Sequence, residues 1–131
     1  MEKYLKEGER SRWEILLKLR ANASDLRITT GRWEKEHQER KDRICRMCEA
    51  HEIEDEMHFL CHCVRFEKER KSLFQKIAEA GGEEFKQMSQ TNQFHAILAA
   101  RHEKVEVRKA IMDGVHKMYM SRIKEGKLIG N

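Results

Sequence analysis

Proline is absent from this 131-residue sequence, and glycine is scarce at seven residues. With no ring to remove a backbone donor, long helices with few interruptions are the natural consequence. No apolar run approaches the roughly 20 residues that span a bilayer, and "MEKYLKEGER" at the N-terminus lacks the hydrophobic region of a secretory signal. No membrane partner is expected, and a reducing intracellular compartment, nucleus or cytoplasm, is. A glycine-rich phosphate loop is missing too, as is a strand-embedded pair of acidic residues for two-metal chemistry. His95, His102 and His116 are scattered. No enzymatic activity is expected.

What is present is charge and periodic apolar residues. Hydrophobic side chains make up 39% and charged ones 38%, but the apolar ones recur at helical spacing, which separates the chain from disordered sequences. The length suits one domain with a real core. The net charge is +4, and the excess lies at one end. Residues 1–48 carry 13 Lys and Arg against 9 Asp and Glu, whereas residues 49–131 carry 14 of each. A basic N-terminal third is compatible with nucleic acid, and equally with solvated helix faces.

All four cysteines lie in "CRMCEAHEIEDEMHFLCHC" at 45–63, together with three histidines. In a reducing compartment such clustering points to a metal rather than to disulfides. Cys45 and Cys48 form a C-x2-C pair, a spacing that lets two thiolates in a tight turn converge on one tetrahedral ion. The remaining ligands must come from His51, His58, Cys61, His62 and Cys63. Zinc is the expected ion, since sulfur and imidazole suit it. A redox dithiol would call for a βαβ context that is missing. If a helix begins before Met57, His58 shares a face with Cys61 and His62. His58 and Cys63, five apart, meet only if the segment bends. Periodicity leaves the choice open.

Around the cluster the pattern is helical. Residues 3–20 read as an amphipathic helix with Trp13, Leu16, Leu17 and Arg20 on one face, and Ser11 with Glu14 has the form of a capping box that would start it later. Residues 21–33 read as an extended, irregular linker. A helix over 64–80 carries the stripe Phe66, Arg70, Leu73, Phe74 and Ile77 and ends at Gly81 and Gly82. A short helix near Phe85 and Met88 precedes another that is capped by Thr91 or Asn92, with Phe94, Ile97 and Leu98 inward. The longest spans 103–124, with Val107, Ile111, Val115, Met118 and either Tyr119 or Met120 repeating, and Gly114 marking a close helix contact. A frayed tail follows. The expected fold is a small all-α domain covering 1–131 and organised around a structural zinc site. It comprises a zinc-knuckle segment at about 43–63 and a helical tail at about 64–124.

"LRITTGRW" at 26–33, "DRICRMC" at 42–48, "EIEDEMHFLCHC" at 52–63 and "RFEKERKSLF" at 65–74 together resemble a known pattern. It is the cysteine-rich region near the C-terminus of non-LTR retrotransposon reverse-transcriptase polyproteins. "NQFHAILAA" at 92–100 and the last helix resemble that family's helical tail more weakly. The resemblance implies Cys45, Cys48, His58 and Cys63 as the ligands. It leaves Cys61, where the family usually carries an apolar residue, as a spare thiol packed as a small hydrophobe. Four protein ligands imply an architectural ion without an open position for catalysis. The family's catalytic aspartates have no counterpart here.

An arginine-edged knuckle can hold phosphates by charge-assisted hydrogen bonds. Arg27, Arg32, Arg40, Lys41, Arg43 and Arg46 are the candidates, and Trp33 either stacks on an exposed base or packs against the first helix. Arg32 and Arg70 can alternatively be buried partners of acidic residues. "EIEDE" at 52–56 reads as a solvated loop with Asp55 and Glu56 near a helix N-terminus. The expected function is a non-enzymatic zinc-binding domain that binds RNA or DNA. The alternative is a protein-interaction or self-association module using the C-terminal helices, with Met57, Met88, Met112, Met118 and Met120 as an adaptable surface.

Overall fold

The computed structural model describes residues 7–21, 24, 26–31 and 38–129. Among the described residues five α-helices follow in order: α1 (Glu7–Arg20), α2 (Arg27–Thr30), α3 (Glu67–Glu79), α4 (Gln90–Ala99) and α5 (Val105–Ile129). Short 3-10 turns occupy Arg40–Asp42, Val64–Phe66 and Glu83–Gln87, and a π-helical turn occupies His58–His62. Among the described residues there is no strand, only a single antiparallel bridge between Ile44 and Ile53. The fold is mostly helical, as the periodicity requires. Among the described residues no helix is long and apolar enough to cross a membrane.

α5 is the spine. Its apolar stripe, Val107, Ile111, Val115, Met118 and Tyr119, is buried against α1 and α3, and Met120 points outward, 47% exposed. Met118 therefore belongs to the core and drops out of any adaptable surface. From α3 come Leu73 and Ile77, and from α1 Ile15, Leu16 and Leu19. Where α3 crosses α5, a Cβ on Gly114 would stand 2.3 Å from Leu73 Cδ1. The smallest residue is what lets the two helices approach there. Phe59, Phe66 and Tyr119 meet edge to face, with ring centroids 5.3 and 6.3 Å apart, and join the π turn to the same core.

Several boundaries differ from expectation. α1 runs through Ser11, so the Ser11 and Glu14 pair is interior to the helix. α4 is capped by Ser89, whose Oγ accepts from the Asn92 N–H at 3.2 Å, so neither Thr91 nor Asn92 is the cap. α5 continues to Ile129, so the expected frayed tail is helix for most of its length. Residues 27–30 form a helical turn because Glu54 reaches them: its carboxylate accepts from the Arg27 N–H at 2.8 Å and its carbonyl from the Ile28 N–H at 3.0 Å. A tertiary cap overrides the extended preference of β-branched residues.

Candidate metal centre

The C-x2-C pair sits at the closed end of a miniature hairpin. The Cys45 N–H donates to the Glu52 carbonyl at 2.9 Å and the Glu54 N–H to the Arg43 carbonyl at 3.0 Å, on either side of the Ile44 and Ile53 bridge. His51 makes the return possible in the left-handed region, with φ of 57°. It is exposed and stands outside the cluster of ligand atoms, where it serves as the pivot of the turn. Within the turn the Met47 N–H points at Cys45 Sγ at 3.3 Å, a contact that favours the thiolate.

The opposite wall solves the awkward spacing of His58 and Cys63. The Cys63 N–H donates to the His58 carbonyl at 2.7 Å, a bond that spans five residues. Such a π turn stacks residue i over i+5, as the pair requires. Asp55 Oδ1 holds the start of this turn by accepting from the His58 N–H at 2.8 Å.

Cys45, Cys48, His58 and Cys63 converge so that their ligand atoms all lie within 4.8 Å of one another. Cys45 Sγ is 3.9 Å from Cys63 Sγ, and Cys48 Sγ is 3.4 Å from His58 Nε2. A tetrahedral ion with sulfur at about 2.3 Å and nitrogen at about 2.0 Å sets a sulfur–sulfur edge of about 3.8 Å and a sulfur–nitrogen edge of about 3.5 Å. These four residues could hold a metal ion, by distance and by donor chemistry. Cys61, although buried, is not among them.

The thiols are electrostatically coupled. Cys45 is pushed up to about 12, first by its hydrogen bond with Cys63 and then by burial, while the same bond lowers Cys63. Burial alone opposes charge on the His58 ring. The Cys45 sulfur, Glu52 and Glu54 outweigh it, and the ring titrates above its ordinary value. A cation entering the cluster would take the place of these shared protons.

Two arginines that lie on apolar stripes fasten the cluster to the core. Arg70 on α3 donates from Nε to the Leu60 carbonyl at 2.7 Å and from Nη2 to the Phe59 and Cys63 carbonyls at 3.1 and 2.8 Å. Its partners are thus the carbonyls of the π turn and not acidic side chains, and burial lowers its guanidinium from the ordinary value. Arg122 on α5 grips Glu54 in a two-pronged ion pair, Nε to Oε2 at 2.6 Å and Nη2 to Oε1 at 2.8 Å, with side chains 0% and 1% exposed. "EIEDE" is therefore not a solvated loop throughout. Glu54 is a core residue, Asp55 a cap, and Glu56 half-buried, with burial raising its carboxyl.

The candidate phosphate contacts divide. Arg27 is 2% exposed, and its guanidinium donates to Thr30 Oγ1 and to Gln38 Oε1. Arg43 is 8% exposed and donates to the Gln38 and Ile28 carbonyls at 3.1 and 2.9 Å. Both are buried: the Arg27 donors serve side chains and the Arg43 donors backbone carbonyls, so each frames the hairpin from within rather than at its surface. Arg40, Lys41 and Arg46 are exposed beside the cysteine pair, with Arg40 Nη2 3.8 Å from Asp55 Oδ2. Arg32 and Trp33 lie outside the described residues. No family model, curated protein or solved structure matches this chain.

Proposed function

We propose that Cys45, Cys48, His58 and Cys63 hold one zinc ion whose role is architectural, and that the module so built is a non-enzymatic binder of nucleic acid. The observation that carries the metal reading is the convergence of three sulfurs and one imidazole nitrogen within 4.8 Å. Soft sulfur with imidazole in a tetrahedral arrangement suits zinc. Four protein ligands leave no position for a reacting water, and the ion would instead tie the hairpin to the π turn and so to α3. The nucleic-acid reading draws support from the exposed cations Arg40, Lys41 and Arg46, from the basic N-terminal third, and from the likeness to the retrotransposon polyprotein region. A phosphate backbone would meet these cations at the hairpin's edge, without base-specific contacts.

The test is a zinc determination on purified protein, followed by titration with a labelled single strand and a duplex at two salt concentrations. One ion per chain is expected, with affinity that falls steeply as salt rises and weakens in Arg40→Gln with Lys41→Gln. No binding at low salt would refute the nucleic-acid reading. A second reading is favoured by the exposed apolar residues Met120 and Leu128 on α5, 47% and 72% exposed. It makes the long helix a self-association face, and salt-insensitive oligomers would support it.

A further inference from the structure

His58 has two ring nitrogens, and the metal cluster accounts for one. Nε2 faces Cys48 Sγ. To offer its lone pair there, the neutral ring must carry its proton on Nδ1. Nδ1 is buried and no hydrogen bond reaches it, in a side chain only 3% exposed. A buried ring N–H without an acceptor is a rare and costly arrangement, and it calls for a partner.

The group facing it is Glu52, with Oε1 at 3.5 Å from Nδ1. The backbone of Glu52 is fixed by the same hairpin that presents the cysteines, since its carbonyl accepts the Cys45 N–H at 2.9 Å. Its carboxylate, half exposed at 52%, is free to close the remaining few tenths of an ångström without disturbing the core. His62 stands edge-on to His58 at 6.4 Å between centroids, but its Nε2 is engaged with Gln90 Oε1 at 2.8 Å.

We infer that Glu52 is a positioning residue for the metal centre, accepting the Nδ1–H of His58 and so fixing the tautomer and the orientation that present Nε2 to the ion. This rests on the metal reading of the cluster. Glu52 touches no metal itself. It acts through the imidazole, making the ring a stronger donor and holding it against rotation, as outer carboxylates do for ligand histidines generally. Glu52, His58 and His62 also lie close enough for their ligand atoms to surround a second ion, all within 4.8 Å. That arrangement would demand an imidazole stripped of both protons and bridging two cations, whereas the relay needs only the ordinary neutral tautomer.

The experiment compares the full-length chain with Glu52→Gln and Glu52→Ala, using zinc as the probe and a chromophoric chelator as competitor. Loss of an outer carboxylate of this kind weakens zinc by about 10- to 100-fold, so Glu52→Ala should fall in that range and Glu52→Gln, which keeps an acceptor oxygen, should fall less. Nitrogen-15 imidazole spectra of the zinc-loaded protein supply a readout that a general loss of stability would not move. The unaltered chain should show a slowly exchanging Nδ1 proton on His58, shifted or lost in Glu52→Ala. Zinc affinity in Glu52→Ala within twofold of the parent would overturn the relay and leave the metal site standing. Two ions per chain, falling to one in Glu52→Gln, would replace it with a second site. No zinc uptake by the unaltered chain would sink both readings.

Discussion

Replacing Arg122 with methionine removes every hydrogen-bond donor while keeping an unbranched apolar stem of similar reach. Glu54 would then keep its Arg27 N–H at 2.8 Å but lose both prongs of the guanidinium, with a carboxylate side chain only 1% exposed. Breaking a buried pair on one side costs about 3–5 kcal/mol, because the surviving charge stays in the core uncompensated. A small domain has a total stability of about 5–15 kcal/mol, so this one change consumes a large fraction of it. Taking a urea m-value of about 2 kcal/mol per molar, the unfolding midpoint should drop by about 1.5–2.5 M. Urea titration followed by far-ultraviolet circular dichroism, at a fixed zinc concentration so that metal linkage is constant, measures it. The double variant Glu54→Gln with Arg122→Met removes the orphan charge and leaves an amide oxygen for the Arg27 N–H. It should recover most of the loss, since paired buried charges are often replaceable together. A loss below about 1 kcal/mol in Arg122→Met, or a double variant as damaged as the two single changes summed, would refute the coupling described here.

Cys61→Ala should retain one zinc per chain while Cys63→Ala should lose tight binding, read by chelator competition, because only Cys63 lies among the convergent ligand atoms. His51→Gly relieves a left-handed residue at φ of 57°; a stabilisation of up to about 1 kcal/mol with unchanged zinc stoichiometry is expected in thermal melts, and loss of the ion would restore His51 to the ligand set. Gly114→Ala should be net destabilising by about 1 kcal/mol in urea, the overpacking against Leu73 outweighing the helical gain. A more stable Gly114→Ala variant would mean that α3 and α5 separate easily.

The helices could be read in advance because their apolar residues repeat at threes and fours; Val107, Ile111, Val115 and Met118 needed no tertiary information. The C-x2-C pair was legible for the same reason: the constraint is local. The meeting of His58 with Cys63 was not, since α-helical periodicity places i and i+5 far apart, and nothing in the side chains announces a π turn. Arg70 and Arg122 carry a signal in their placement, which for Arg70 suggests acidic partners where the structure has carbonyls. Each falls on an otherwise apolar stripe, Arg122 three residues past Tyr119, and a guanidinium there requires a buried acceptor. The sequence cannot name that acceptor. Glu54 is 68 residues from Arg122, and the partners of Arg70 are carbonyls. The same limit explains Arg27 and Arg43, which look like any other cations of a basic segment until the hairpin folds over them.

The π turn carries one residue more than an ordinary helical turn, and holding an ion would not by itself require it. A histidine and a cysteine four apart on a regular helix would also face a common point. What the extra residue governs is where the chain leaves the turn. Cys63 is extended, with ψ of 120°, and a 3-10 turn leads from it into α3. Shortening 58–63 by one would displace the Cys63 carbonyl that Arg70 holds and the Phe66 ring that packs on Phe59. In this segment, chain length sets the path by which the backbone passes from the cysteine cluster into the core.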